Sequence, residues 1–245
     1  MVLLDLSAAF DTIDHDILLH RLQHVFGIQG TVLSWFRSYL TKRFQTVSIR
    51  GTHSDPIEVC CGVPQGSVLG PILFILYTQP LTSVILPVSH MLYADDTQVY
   101  KSFGLNDCLS SFLCVERCVS DVKTWMTSNK LQMNADKTEV LLVTAKRVVN
   151  LQHLPDFMNI NGTCVKFSPS VRNLGVTLDS TLSIHQHVIN VCRVAYLELR
   201  RINSIRNLLS IDAVKTLVCS LVLSRIDCCN SKPVGLPQYL TKRLQ

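Results

Sequence analysis

Residues 93–96 read Tyr-Ala-Asp-Asp, and the two adjacent carboxylates are the sharpest chemical signal in the chain. Met91 and Leu92 lead into them, and a β-prone run (Thr97, Val99, Tyr100) follows. The pattern predicts strand, tight turn, strand, with the acids at the tip. Neighbouring carboxylates repel each other. In a surface turn water screens them; beside a buried strand a bound divalent cation accounts for them better. Asp5 ends a second apolar run, Val2-Leu3-Leu4, which reads as a buried strand. If the two strands are neighbours in one sheet, Asp5 and Asp95 converge at one edge. Converging carboxylates hold two divalent ions about 4 Å apart, the arrangement that serves in-line phosphoryl transfer. Magnesium suits all-oxygen ligands and keeps waters and substrate phosphates in its shell.

A third stretch fits the same chemistry. Gly62-Val63-Pro64-Gln65-Gly66-Ser67-Val68-Leu69-Gly70 has three glycines in nine residues and opens an apolar helix over about 69–83. Such a loop brings backbone close to something planar or phosphorylated. A plain turn and cap before a helix has the same composition.

The elements that must position these residues follow from periodicity. Asp14 is the expected N-cap of a helix carrying Ile17, Leu18, Leu22 and Val25, which Gly27 ends. A second helix spans about 31–42, and strand-like runs follow at 44–50 and 56–60. Residues 105–128 read as an amphipathic helix with Leu109, Phe112, Leu113, Val115, Val119, Val122, Trp125 and Met126 mainly on one face. Residues 129–138 read as a polar turn feeding a strand at 139–143. A weak hairpin is expected over about 157–167, and two helices over about 184–207 and 210–226.

Composition narrows the class. The chain has 245 residues, 47% apolar and 17% charged, enough for a substantial core. Net charge is +5 but uneven: residues 1–100 carry 5 basic and 8 acidic side chains, residues 190–245 carry 9 and 3. An acidic first part and a basic last part suit a metal site followed by a segment that contacts a polyanion, or simply a solvated basic helix pair. The ten cysteines show no metal-ligand spacing and read as reduced apolar filler in an intracellular protein. His20 and His24 lie one helical turn apart without a partner set for zinc. Residues 59–94 lack charge, but four prolines interrupt them too often for a membrane span, so a buried helix and strand are expected there.

These residues resemble the reverse transcriptase of non-LTR retrotransposons (LINE elements), nearest the CR1/L2-like group. Leu4-Asp5-Leu6-Ser7-Ala8-Ala9-Phe10-Asp11 is similar to its first catalytic motif, residues 62–67 to its second and residues 93–96 to its third. Leu131 to Thr138, with Lys137, is similar to the fourth. Asn173-Leu174-Gly175-Val176 with Asp179 is similar to the motif that positions the primer end. Residues 224–230 with Gly235-Leu236-Pro237 are similar to the segment after the thumb.

The resemblance implies an α+β fold: a right-hand polymerase palm, an antiparallel sheet packed on helices, over 1–180, and a helical thumb with the start of the following connection over 181–245. It implies RNA-directed DNA polymerase activity with two Mg2+ ions, Mn2+ being a substitute. Asp5, Asp95 and the Leu6 carbonyl would bind metal, with Asp96 supporting. Phe10 would exclude a ribose hydroxyl. Gln65 and Gly66 would line the nucleotide and template groove, and Tyr93, Leu174 and Gly175 would contact the primer. Lys137 would protonate the leaving pyrophosphate, unless it is a solvated turn lysine. The partners implied are an RNA template, a DNA primer and deoxynucleoside triphosphates, in nucleus or cytoplasm and without a membrane; oligomeric state stays open. Because the chain starts at the first catalytic motif, the fingers are expected to be missing. Two readings therefore stand: a polymerase domain fragment, weak or inactive by itself, or a catalytically inactive remnant with at most residual nucleic-acid binding.

Overall fold

The computed structural model describes residues 1–86, 88–144 and 155–227. The chain divides into two compact units, one from residues 1–140 and 155–166, the other from 141–144 and 167–227.

The first unit is built on a four-stranded antiparallel sheet. Its order is β6 (Ser89–Tyr93), β7 (Asp96–Tyr100), β1 (Val2–Ser7), β8 (Gln132–Val140). Alternation in β1 decides which way its side chains face: Val2, Leu4 and Leu6 are buried, while Leu3, Asp5 and Ser7 are half-buried. Burial of the first set turns Asp5 to the opposite face.

Helices cover the core. α1 (His15–His24) starts where the sequence places it, because Asp14 Oδ1 accepts from the Ile17 amide at 3.0 Å. α2 (Gly30–Leu40) follows and buries only Leu40. α3 (Leu69–Thr78) packs Leu73, Phe74 and Tyr77 inward against α1, and Pro80 separates it from the short α4 (Leu81–Val84). α5 (Cys108–Ser128) lies against β7 and β8 with Phe112, Val115, Cys118, Val119, Val122 and Met126 buried. It also packs on the hairpin of β9 (Phe157–Ile160) and β10 (Thr163–Lys166).

Several expectations need correction. Leu109 and Leu113 are 69% and 60% exposed, so the apolar stripe of α5 is narrower than its sequence suggests. In the uncharged stretch the helix buries only one face, Ile72 and Ile75 being 50% and 56% exposed, and strand β6 is the sheet edge, with Ser89, Met91 and Tyr93 facing out. Residues 44–58 form four two-residue strands, β2 (Phe44–Gln45), β3 (Ser48–Ile49), β4 (Thr52–His53) and β5 (Ile57–Glu58). These pair as a nested, fully exposed hairpin. The polar stretch from 132 onward is strand, not turn, because β1 offers it a ladder to join. Cys108, Cys118 and Cys192 are buried filler, whereas Cys60, Cys61, Cys164 and Cys219 are exposed thiols.

The second unit holds the hairpin of β11 (Ser170–Asn173) and β12 (Val176–Asp179), then α6 (His185–Ile205), α7 (Ile211–Val218) and α8 (Ser224–Asp227). Ala195, Ile202 and Val222 form its helical core, with Val214, Leu217, Val218 and Ile226 packed around them. Ser210 caps α7 by accepting from the Ala213 amide. The expected segment at 228–230 and 235–237 lies outside the described residues.

Candidate active site

Asp5 and the Asp95-Asp96 pair meet because β1 and β7 are adjacent. The ladder runs Val2 to Val99, Leu3 to Gln98 and Leu4 to Thr97. Continuing it by one residue sets Asp5 opposite Asp96. Directly opposed residues share a face, and like charges there repel. The hairpin turn itself is Ala94-Asp95, between the Tyr93–Asp96 pair, with Ala94 in the left-handed region at φ 50°. Burial, then the charges of Asp95 and Asp5, push the Asp96 carboxyl pKa up.

Lys137 reaches this cluster through an irregularity in β8. Glu139 pairs with Leu3 and Asn134 with Asp5, so residues 135–138 bulge out opposite Leu4 alone. The bulge is tied down by its own side chains: Thr138 Oγ1 donates to the Asn134 carbonyl at 3.0 Å, and the Asp136 amide donates to Asn134 Oδ1 at 3.1 Å. Lys137 Nζ thereby stands 2.9 Å from Asp5 Oδ2. The Asp5 carboxylate, by contact first and charge second, raises the Lys137 pKa, and Asp95 adds to it.

Oδ2 of Asp5 is buried, and the Lys137 ammonium at 2.9 Å is the positive charge beside it. A buried carboxylate oxygen needs positive charge beside it; Lys137 supplies it here, and a cation at this edge would have to take the lysine's place. Among the described residues no three His, Cys, Asp or Glu side chains already form a ligand cluster. Magnesium accepts so sparse a protein set, because waters and phosphates complete its shell.

The glycine-rich loop is clamped onto the segment after β1. The Gly62 amide donates to the Ile13 carbonyl at 2.7 Å, and the Val63 amide to the Phe10 carbonyl at 2.9 Å. His15 Nε2 donates to the Gly62 carbonyl at 2.8 Å, and Arg43 Nη1 to the same oxygen at 3.2 Å. Gly62 has φ 80°, and a Cβ there would stand 2.8 Å from the Asp11 carbonyl oxygen. Gln65 Nε2 donates to both Asp11 carboxylate oxygens, at 2.8 and 3.0 Å. Gln65 and Gly66 are both exposed. Phe10 packs its ring against Phe74 of α3, centroids 4.9 Å apart.

The first unit thus brings together Asp5, Asp95, Asp96 and Lys137 by electrostatic contact, with Leu6 buried next to Asp5. Tyr93 is exposed at the base of the acidic turn. Leu174 and Gly175 form the β11–β12 turn in the second unit, with φ 46° and 84°. Sequence reasoning gave no role to Asp11, His15, Phe74 or Asn134. Asp11 and Asn134 lay within motifs already singled out; His15 and Phe74 depend on contacts far apart in the chain.

Comparison with known proteins agrees with this architecture. Residues 1–178 match the family described as reverse transcriptase (RNA-dependent DNA polymerase). The probable RNA-directed DNA polymerase from transposon BS of Drosophila melanogaster is 28% identical over 223 residues, which are 88% of this chain and 24% of the relative. The RNA-directed DNA polymerase from mobile element jockey of the same species is 28% identical over 197 residues, 77% of this chain and 20% of the relative. This chain spans about a quarter or less of the length of these relatives. Among solved structures, apo telomerase from Candida tropicalis aligns with a TM-score of 0.50 at 13% identity, covering 74% of this chain and 31% of that one. That likeness concerns the fold, a mixture of helix and sheet. The chain belongs to the reverse transcriptase family, as a domain of the LINE type.

Proposed function

We propose that this reverse transcriptase domain carries the catalytic centre for RNA-directed DNA synthesis, with the first unit as palm and the helices of the second as thumb. The observation that carries the reading is the adjacency of β1 and β7, which puts Asp5 beside the Asp95-Asp96 turn with Lys137 at 2.9 Å. Asp5 and Asp95, with the Leu6 carbonyl, would hold two Mg2+ ions; Mn2+ has the same oxygen preference. When bound, these ions would activate the attacking primer 3′-hydroxyl and stabilise the departing pyrophosphate.

The chain's own residues then have distinct tasks. Asp96 keeps the acidic turn in register by pairing with Tyr93. Lys137, freed from Asp5 when that carboxylate takes a divalent ion, is in reach to give a proton to the leaving group. Phe10, braced by Phe74, offers a fixed aromatic wall to the sugar and favours deoxynucleotides. Gln65 and Gly66 present an exposed loop, anchored through Asp11 and Gly62, to nucleotide and template. Tyr93 supports the primer terminus, and the Leu174-Gly175 turn grips the primer strand. The basic helices carry Arg193, Arg200, Arg201 and Arg206 for duplex phosphates. No helix among the described residues is long and apolar enough to cross a membrane.

Primer extension tests this reading. The 245-residue chain is given an RNA template annealed to a DNA primer, magnesium and deoxynucleoside triphosphates, beside Asp95→Ala. Extension that the substitution abolishes is expected. A folded chain that extends nothing would instead be an inactive remnant, with at most residual nucleic-acid binding.

A further inference from the structure

Gln65 stands at the corner of a closed turn. The Ser67 amide donates to the Pro64 carbonyl at 3.2 Å, and Gly66 has φ 77°, the left-handed geometry that such a turn needs at its third residue. Ser67 Oγ donates to the same carbonyl at 2.7 Å and accepts from the Gly70 amide at 3.0 Å, so one side chain ties the turn to the start of α3. At the other end Gly62 is held against the segment after β1, its backbone so near Asp11 that a Cβ would meet the Asp11 carbonyl oxygen at 2.8 Å. Held at both ends, the turn delivers the Gln65 side chain to the Asp11 carboxylate, 54 residues away in sequence.

That contact has a direction. An ionised carboxylate only accepts hydrogen bonds, whereas the glutamine amide has a donor end and an acceptor end. Asp11 thus takes Nε2, at 2.8 Å to Oδ1 and 3.0 Å to Oδ2. Oε1 is left as the acceptor, and among the described residues nothing donates to it. Without Asp11 the amide is free to turn over and present its donor end instead. A group that meets Oε1 must carry a donor. On a nucleotide the donors are sugar hydroxyls and the amino or imino groups of the bases. A base donor would tie copying to particular bases, so a sugar hydroxyl is the fitting partner.

We infer that Asp11 is the positioning residue that turns the carbonyl oxygen of Gln65 outward, so that this loop selects for a sugar hydroxyl. The inference rests on the palm reading proposed above and adds a specificity that Asp11 sets through Gln65 without touching the substrate. The hydroxyl belongs either to the incoming nucleotide or to the bound template strand.

The test reads binding by the 245-residue chain, so its outcome is separate from that of primer extension. Two matched pairs of probes are compared. Deoxyadenosine and 2′,3′-dideoxyadenosine triphosphate are titrated by calorimetry, with magnesium and a dideoxy-terminated primer on its template. Fluorescein-labelled RNA and DNA decamers of one sequence, free of uracil and thymine, are titrated by anisotropy in EDTA. In the parent chain the hydroxyl-bearing member of one pair is expected to bind about two- to tenfold more tightly, the weight of one neutral hydrogen bond. Asp11→Lys replaces the acceptor by a donor and turns the amide over, and the preference is expected to vanish. Asp11→Lys with Gln65→Glu restores the contact and an outward acceptor oxygen, and the preference is expected to return. Asp55→Lys, the same charge change at an exposed position, is expected to leave it unchanged. A preference lost for the triphosphates assigns the hydroxyl to the incoming nucleotide; one lost for the decamers assigns it to the template strand. Equal binding within both pairs by the parent chain overturns the inference. So does a preference that survives Asp11→Lys, falls equally in Asp55→Lys, or stays lost in the double variant. The expected pattern in a chain that extends nothing keeps the inference and removes the catalytic reading alone.

Discussion

The Lys137 ammonium lies 2.9 Å from Oδ2 of Asp5, although the two residues are not ladder partners. Asn134 holds the register position opposite Asp5, and the bulge over 135–138 brings the lysine back over the carboxylate. Lys137 is 66% exposed there, so the pair adds little to stability. Its consequence is competition: one carboxylate oxygen serves either the lysine or a divalent cation.

Lys137→Ala should therefore do two opposite things. Primer extension should slow by about 10²–10⁴-fold if the lysine is the general acid. The magnesium concentration giving half-maximal activity should fall, because the competing cation is gone. A slower enzyme with an unchanged magnesium midpoint would show that Lys137 leaves Asp5 before metal is bound.

Gly62 and Gly66 separate backbone strain from contact. Both have positive φ, 80° and 77°. A Cβ at Gly66 meets nothing within 4 Å, whereas one at Gly62 meets the Asp11 backbone at 2.8 Å. Gly66→Ala should cost about 1–2 kcal/mol for the left-handed conformation alone. Gly62→Ala should cost a further 1–3 kcal/mol or so for overpacking. Urea unfolding of the two variants compares them directly.

Phe10 and Phe74 form the proposed sugar gate and its brace. Phe10→Ala should raise ribonucleotide over deoxynucleotide incorporation by at least tenfold, equivalent to about 1.4 kcal/mol of lost discrimination. Phe74 is fully buried, so Phe74→Ala should cost about 3–5 kcal/mol of stability. Competition between the two nucleotide types in single-turnover extension reads the first effect, and thermal melting the second.

Asp179 gives the second unit a distinct acid limb. Burial would raise its carboxyl pKa, but hydrogen bonds from Ser183 and Thr181, side chain and backbone of each, outweigh it and bring it to about 2 from 3.8. A carboxyl lowered by folding stabilises the native state above its unfolded pKa. That contribution is complete above about pH 4 and is lost as pH falls towards about 2. Asp179→Asn should lower Tm at pH 6 and converge with the parent chain near pH 2. A difference constant across that range would mean the carboxylate charge is irrelevant to the turn.

Local signals in the chain were strong where one element decides its own chemistry. Asp14 caps α1 because its oxygen needs only the amide three residues on. The Tyr93–Asp96 turn needs only two short strands, and the motifs at Asp5, Gly62 and Asp95 were legible as motifs. Non-local relations were not. Met91 and Tyr93 have the pattern of a buried strand, but sheet order leaves β6 at the edge. Residues 132–138 have a turn's polarity, yet β1 draws them into a ladder and forces the bulge.

The sequence by itself determined the chemical inventory: neighbouring acids at a turn, a glycine-rich loop before a helix, and helices with an apolar stripe. Only the tertiary structure decided which acid faces which, that Lys137 reaches Asp5, and that Phe74 backs Phe10. The physical reason is range. Capping, turn and periodicity energies act within a few residues, whereas register, burial and the charge felt by a carboxylate depend on strands and helices that the chain brings together from far apart.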